Sequence, residues 1–194
     1  MLFQNLKDKR ILLASKSPRR KQLMEDAGFQ FDIVNSKEII ELIPEGITNE
    51  AAAEYLSELK ARAYKSVINQ DTILVTADTI VCLENKILGK PKDHIEAFDM
   101  IKSLSGKKHK VITGVSICST DKSLSFSSTT DVFFKIIPDD EINYYIEEFK
   151  PYDKAGAYGI QEWIGLTCIE KIKGSYFNVM GLPIQKLYEA LKSF

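Results

Sequence analysis

Neither a G-x-x-x-x-G-K-[ST] loop nor a G-x-G-x-x-G fingerprint occurs anywhere in the 194 residues, which excludes the two commonest glycine-rich phosphate cradles. Cysteine is scarce: Cys82, Cys118 and Cys168 stand far apart, each inside an apolar run. That spacing offers neither a disulfide framework nor a zinc pattern, and predicts reduced core residues. The two histidines, His94 and His109, are isolated in polar surroundings and are expected at the surface, not as ligands or bases. No sign of charge dominates, since 26 basic residues face 27 acidic ones. A chain so balanced has no global field to hold it on nucleic acid or on an anionic membrane, so any cationic site must be local. No apolar run reaches membrane-spanning length, and the first ten residues include the charged run Lys7-Asp8-Lys9-Arg10. The expectation is a cytoplasmic protein with no nucleic-acid or membrane partner.

What is present is a globular composition, 44% hydrophobic, with strand and helix patterns mixed along the chain and no repeat or low-complexity linker. Residues 11–21 read as a buried strand, a hydroxyl-rich turn and the first turn of a helix that stops at Gly28. Ser17 is a good N-cap and Pro18 a good first helical residue. A short strand over 29–34 leads to the polar run Asn35-Ser36-Lys37-Glu38, read as a loop. Pro44 and Gly46 break the chain, and Thr48 or Asn49 can cap a long helix running to Val67. Residues 73–83 are almost wholly apolar, as in a central strand, with Asp78-Thr79 in the middle; one solution ends the strand at Ala77 and leaves Asp78 at a sheet edge. A hairpin about Glu84-Asn85 follows, then a helix over 95–104 capped by Asp93. Strands over 110–118 and 124–137 are joined by a polar turn. A helix opens at Pro138, a strand is expected over 163–171, and the last helix follows Pro183. The pattern predicts an α/β fold with a mixed sheet.

Certain polar residues strain their local setting. Arg19, Arg20 and Lys21 lie in the first turn of a helix whose dipole is already positive there, so an anion should compensate them. With Ser15 and Ser17 they make a suitable phosphate cradle, or else a solvated basic turn. Lys60 borders the buried stripe of its helix, and either snorkels to water or turns to a site. A carboxylate buried alone is costly, so Asp78 needs a partner, a metal or a cleft. With Lys90 on the cationic side and Glu38 on the anionic side, these groups suit a metal-bound nucleoside triphosphate.

Ala14-Ser15-Lys16-Ser17-Pro18-Arg19-Arg20, Ala77-Asp78-Thr79, Gly89-Lys90-Pro91, the run from Asp153 through Lys154-Ala155-Gly156-Ala157-Tyr158-Gly159-Ile160 to Gln161, and Gly181-Leu182-Pro183 resemble, in order and nearly end to end, the Maf family of nucleoside triphosphate pyrophosphatases. The resemblance implies a two-lobed α/β fold over residues 1–194, a mixed sheet flanked by helices and related to the inosine triphosphate pyrophosphatases, with the active-site cleft between the lobes. It implies hydrolysis between the α- and β-phosphates to a monophosphate and pyrophosphate, with Mg²⁺ or Mn²⁺. Asp78 matches the family's catalytic aspartate, a general base on water and a metal contact. Glu38 falls at an acidic position serving the metal, and Lys60 and Lys90 match lysines facing the phosphates. Arg19, Thr79 and Gln161 match positions linked with the branch acting on dTTP and UTP. A glutamine amide can satisfy both the carbonyl and the N3–H of a uracil or thymine edge, and cytosine leaves it partly unpaired.

The chain departs from the family pattern at Lys150, where glutamate is common, at Ile39, where a second acid often follows the first, and at Glu162-Trp163, where small residues are usual. Two other readings stay open: the branch acting on 7-methyl-GTP, with Trp163 stacking on a purine, and a nucleotide-sensing regulator of cell division without turnover. A second copy of the chain, as a homodimer, is the one protein partner the reading admits.

Overall fold

The computed structural model of the chain describes residues 6–35, 37, 39–84 and 86–194. Its elements run β1 (Arg10–Leu13), α1 (Pro18–Asp26), β2 (Phe31–Ile33), α2 (Asn49–Ala63), β3 (Thr72–Leu83), β4 (Lys86–Leu88), α3 (His94–Leu104), β5 (Lys108–Cys118), β6 (Ser123–Phe134), α4 (Asp139–Phe149), α5 (Trp163–Cys168), β7 (Ile169–Lys173), α6 (Tyr176–Met180) and α7 (Ile184–Ser193). The seven strands are ordered β2-β1-β3-β5-β6-β7, with β4 added on β3. β1 pairs parallel with β2 and β3, whereas β3/β4 and β6/β7 are antiparallel, so the sheet is mixed as expected. The chain divides into two compact units. The first comprises Met1–Asp78, Thr113–Ser128 and Gly181–Phe194; the second comprises Thr79–Ile112 and Thr129–Met180.

In the first unit, α2 buries Ala52, Ala53, Leu56, Ser57 and Ala61 on one face, the helical spacing of its small and apolar residues. It comes unusually close to β5. A Cβ on Gly114 would stand 2.0 Å from the Ala53 carbonyl oxygen, so only glycine allows this approach. Polar bonds fix the helix there as well: the Thr76 hydroxyl donates to the Ser57 carbonyl at 2.7 Å, and the Ser57 and Ser116 hydroxyls lie 2.7 Å apart. The second unit has its own core, in which Ile101 and Leu104 of α3 meet Ile142, Tyr145 and Ile146 of α4.

Four expectations are corrected. β3 does not end at Ala77 but continues to Leu83, because extended backbone tolerates a buried carboxylate once its charge is matched. The helix expected to reach Val67 stops at Ala63, and Lys65–Val67 forms a separate 3-10 turn. Residues 163–171 are not one strand: Trp163–Cys168 is helical, burying Ile164 and Cys168 four residues apart, and only Ile169–Lys173 is extended. The apolar run hid a period of four. His109 is buried, 1% exposed, with its Nε2 2.7 Å from the Tyr158 hydroxyl and the rings of Phe134 and Tyr158 edge-on to it. Its neighbours Lys108 and Lys110 disguised a strand position whose side chain faces the core. Of the cysteines, all free, Cys82 and Cys168 are buried and Cys118 is partly exposed.

Candidate active site

The turn between β1 and α1 is held by its own hydroxyls. Ser17 caps α1, its Oγ accepting from the Arg20 N–H at 3.4 Å, with Pro18 in the first turn. The Ser15 Oγ accepts from the Ser17 N–H at 3.2 Å and from Arg20 Nη1 at 3.3 Å. Arg20 Nη1 also donates to the Ala77 carbonyl at 2.9 Å, and its Nε donates to the Gly181 carbonyl at 2.7 Å. Arg20 is therefore not a solvated cation, because its Nε and Nη1 are engaged by two backbone carbonyls and the Ser15 hydroxyl. Burial pulls its pKa below the usual arginine value, against the opposing field of Asp78. By holding the carbonyl of Ala77, it secures the strand immediately before the candidate base. Arg19, half-buried, remains on the same turn as the expected substrate contact.

Asp78 is 8% exposed in the middle of β3, and the Lys60 ammonium donates to its Oδ1. Lys60, in the last turn of α2, is held 3.0 Å from Glu41 Oε1 on its other side. The lysine thus does more than snorkel: it is a cation shared by two carboxylates, which answers the cost of burying Asp78. Glu38, expected in this role, lies outside the described residues. Glu41 was not anticipated, although the signal was available, since it is a lone acid within Ile39-Ile40-Glu41-Leu42-Ile43, the same anomaly that singled out Asp78. Ile39 packs on the first unit's core, while Ile40 and Leu42 are 81% and 74% exposed and the Glu41 side chain is 45% exposed.

Two carboxylates converging on one cation are hard oxygen donors of the kind Mg²⁺ and Mn²⁺ take, so the residues present fit a divalent ion. No cluster of three acidic, histidine or cysteine side chains is found among the described residues, so they offer only part of a coordination shell.

Thr79 follows Asp78 and is the first residue of the second unit. Lys90 also belongs to that unit, exposed just beyond β4, where Gly89 accepts a bond from the Gly156 N–H at 2.9 Å. Gln161 is exposed in the turn before α5. Trp163 packs edge-on against Tyr144, with ring centroids 5.1 Å apart. The structure therefore gathers Ser15, Ser17, Arg20, Asp78 and Lys60 within the first unit, adds Glu41, and keeps Thr79, Lys90 and Gln161 in the second.

An α/β protein with a mixed sheet, a capped basic helix start and a buried carboxylate paired to a lysine from the neighbouring helix is the class these features define. The chain belongs to the Maf family: the family model described as Maf-like protein matches residues 10–194. A dTTP/UTP pyrophosphatase of Bacteroides fragilis is 48% identical over 191 residues, covering 98% of this chain and 99% of that protein. Relatives of the same description from Parabacteroides distasonis, 47% identical over 100% of both chains, and Porphyromonas gingivalis, 45% identical over 100% of this chain and 98% of its own, are similar in the same way. Among solved structures, a nucleoside-triphosphatase/dITP/XTP pyrophosphatase of Mycobacterium abscessus aligns over 66% of this chain and 76% of its own at 11% identity and a TM-score of 0.40, too weak a likeness to support a conclusion.

Proposed function

We propose that this chain hydrolyses dTTP and UTP between the α- and β-phosphates, releasing the monophosphate and pyrophosphate. The observation that carries the reading is the Lys60 ammonium bridging Asp78 and Glu41. A carboxylate held on β3 by a lysine is oriented to take a proton from water as that water attacks phosphorus. The same lysine, with Lys90, offers positive charge to phosphate oxygens as charge grows on the leaving pyrophosphate. Asp78 and Glu41, with Glu38 assigned as a further acid by the family resemblance, would hold a divalent ion, which would supply positive charge to neutralise the phosphates. Arg19, Ser15, Ser17 and Thr79 are assigned to the substrate, and Gln161 to the base edge. Relatives 45–48% identical that bear the dTTP/UTP pyrophosphatase description support this choice of substrate. Trp163, engaged with Tyr144, gives no support to purine stacking. Among the described residues no helix is long and apolar enough to cross a membrane, and the role we assign is the cleansing or adjustment of nucleotide pools in the cytoplasm.

The test is pyrophosphate release from a panel of canonical and methylated nucleoside triphosphates with Mg²⁺ or Mn²⁺, beside Asp78→Asn. dTTP and UTP should lead, and the variant should lose turnover by about a thousandfold or more. A purine leading the panel would overturn the base assignment. A folded Asp78→Asn variant that still turns over would overturn the assignment of the base catalyst.

A further inference from the structure

Resting on the reading that Gln161 meets the base, we infer that Tyr145, Glu162 and Lys154 form a positioning network that sets the presentation of Gln161 and so determines base selectivity. The network lies wholly within the second unit. Tyr145 is fully buried on α4, its ring stacked on Phe149 with centroids 5.2 Å apart, so its hydroxyl is a fixed point. That hydroxyl accepts from the Gly159 N–H at 3.0 Å and donates to Glu162 Oε2. Burial first, then Glu162, raises the Tyr145 pKa, so the hydroxyl keeps its proton and stays a donor. Glu162 Oε1 in turn lies 3.1 Å from the ammonium of Lys154, a side chain 8% exposed whose other partner is Asp153 at 2.7 Å.

Gln161 stands between the two residues that Tyr145 holds. One anchor is the amide of Gly159, two residues before it; the other is the carboxylate of Glu162, next to it. The Glu162 N–H also donates to the Gly159 carbonyl at 3.0 Å, which closes the turn beneath Gln161. Gly159 leaves the space this needs, since a Cβ there would come within 2.8 Å of the Glu162 carboxyl carbon. Gln161 itself is exposed. The backbone is thus bound on either side of an exposed side chain, the arrangement required if two hydrogen bonds are to be read at fixed geometry. Glu162, an oddity among the small residues usual there, is the centre of the network.

The experiment is kcat and KM for UTP and CTP in Tyr145→Phe, Glu162→Gln and Gln161→Ala, with circular dichroism to confirm folding. Tyr145→Phe keeps the ring and removes only the hydroxyl. Glu162→Gln keeps the shape and removes the charge. Either should lower the UTP:CTP ratio of kcat/KM by about tenfold, with kcat for UTP kept within about threefold. A ratio unchanged in both variants while Gln161→Ala lowers it overturns the network but not the reading beneath it. If Gln161→Ala also leaves the ratio unchanged, the base-reading role of Gln161 fails, and the network loses its function with it. A lower melting temperature with an intact ratio in either folded variant marks that contact as merely structural and overturns the inference for that residue.

Discussion

At the scale of single residues, the site turns on which carboxylate shares Lys60 with Asp78. Glu41 does so at 3.0 Å. Glu41→Gln should therefore depress turnover by about a hundredfold and raise the metal concentration needed for half-maximal rate, whereas Glu38→Gln should do less. Metal titrations of the two variants check this, and the reverse order would return the role to Glu38. His109 permits a prediction about stability. Burial holds its pKa down to about 4, below the ordinary 6.5, so the folded chain keeps it neutral where the unfolded chain would protonate it. Above about pH 6.5 both forms are neutral and nothing is gained or lost. Between about pH 6.5 and about pH 4 the protein should lose about 3 kcal/mol relative to a His109→Gln variant. Urea melts of both proteins across that range measure the difference, and parallel pH profiles would show that the histidine is not responsible.

At the scale of elements, local chemistry decided how much could be read beforehand. The start of α1 was legible because Ser17 and Pro18 act within one turn, where caps leave a sequence signature. Ser17→Ala should cost about 1 kcal/mol, or a drop of about 2–4 °C in melting temperature. A melt unchanged within error would mean that the 3.4 Å bond to the Arg20 N–H is not worth a cap. Asp93 capping α3 and the hairpin joining β3 to β4 were legible for the same reason. α5 was not, because six residues rich in Trp, Ile and Cys have no length in which to show a helical period, and β-forming residues suggested a strand. His109 shows the complementary limit: composition around it is polar, yet strand alternation turns alternate side chains inward whatever their flanks carry.

At the scale of the whole molecule, the mixed sheet and its α/β class were written in the alternation of patterns along the chain, as was the oddness of Asp78. What could not be read was partnership over distance. Arg20 meets carbonyls 57 and 161 residues away in sequence, and no local pattern announces such a bond. The consequence is an added role for Arg20, that of holding the strand that carries Asp78. Arg20→Lys, which keeps the charge but cannot reach the same carbonyls in a fork, should lower kcat by more than about tenfold and shift KM much less. A rise in KM alone would give Arg20 back to the phosphate.

The close seat of α2 on β5 reaches into the history of the chain. Position 114 can accept no side chain, because even a methyl group would meet the backbone of Ala53, and α2 is the helix that carries Lys60. In a lineage drifting under selection for turnover, this glycine should stand still while the surface around it changes. The charge balance at Asp78 depends, in part, on one missing carbon atom.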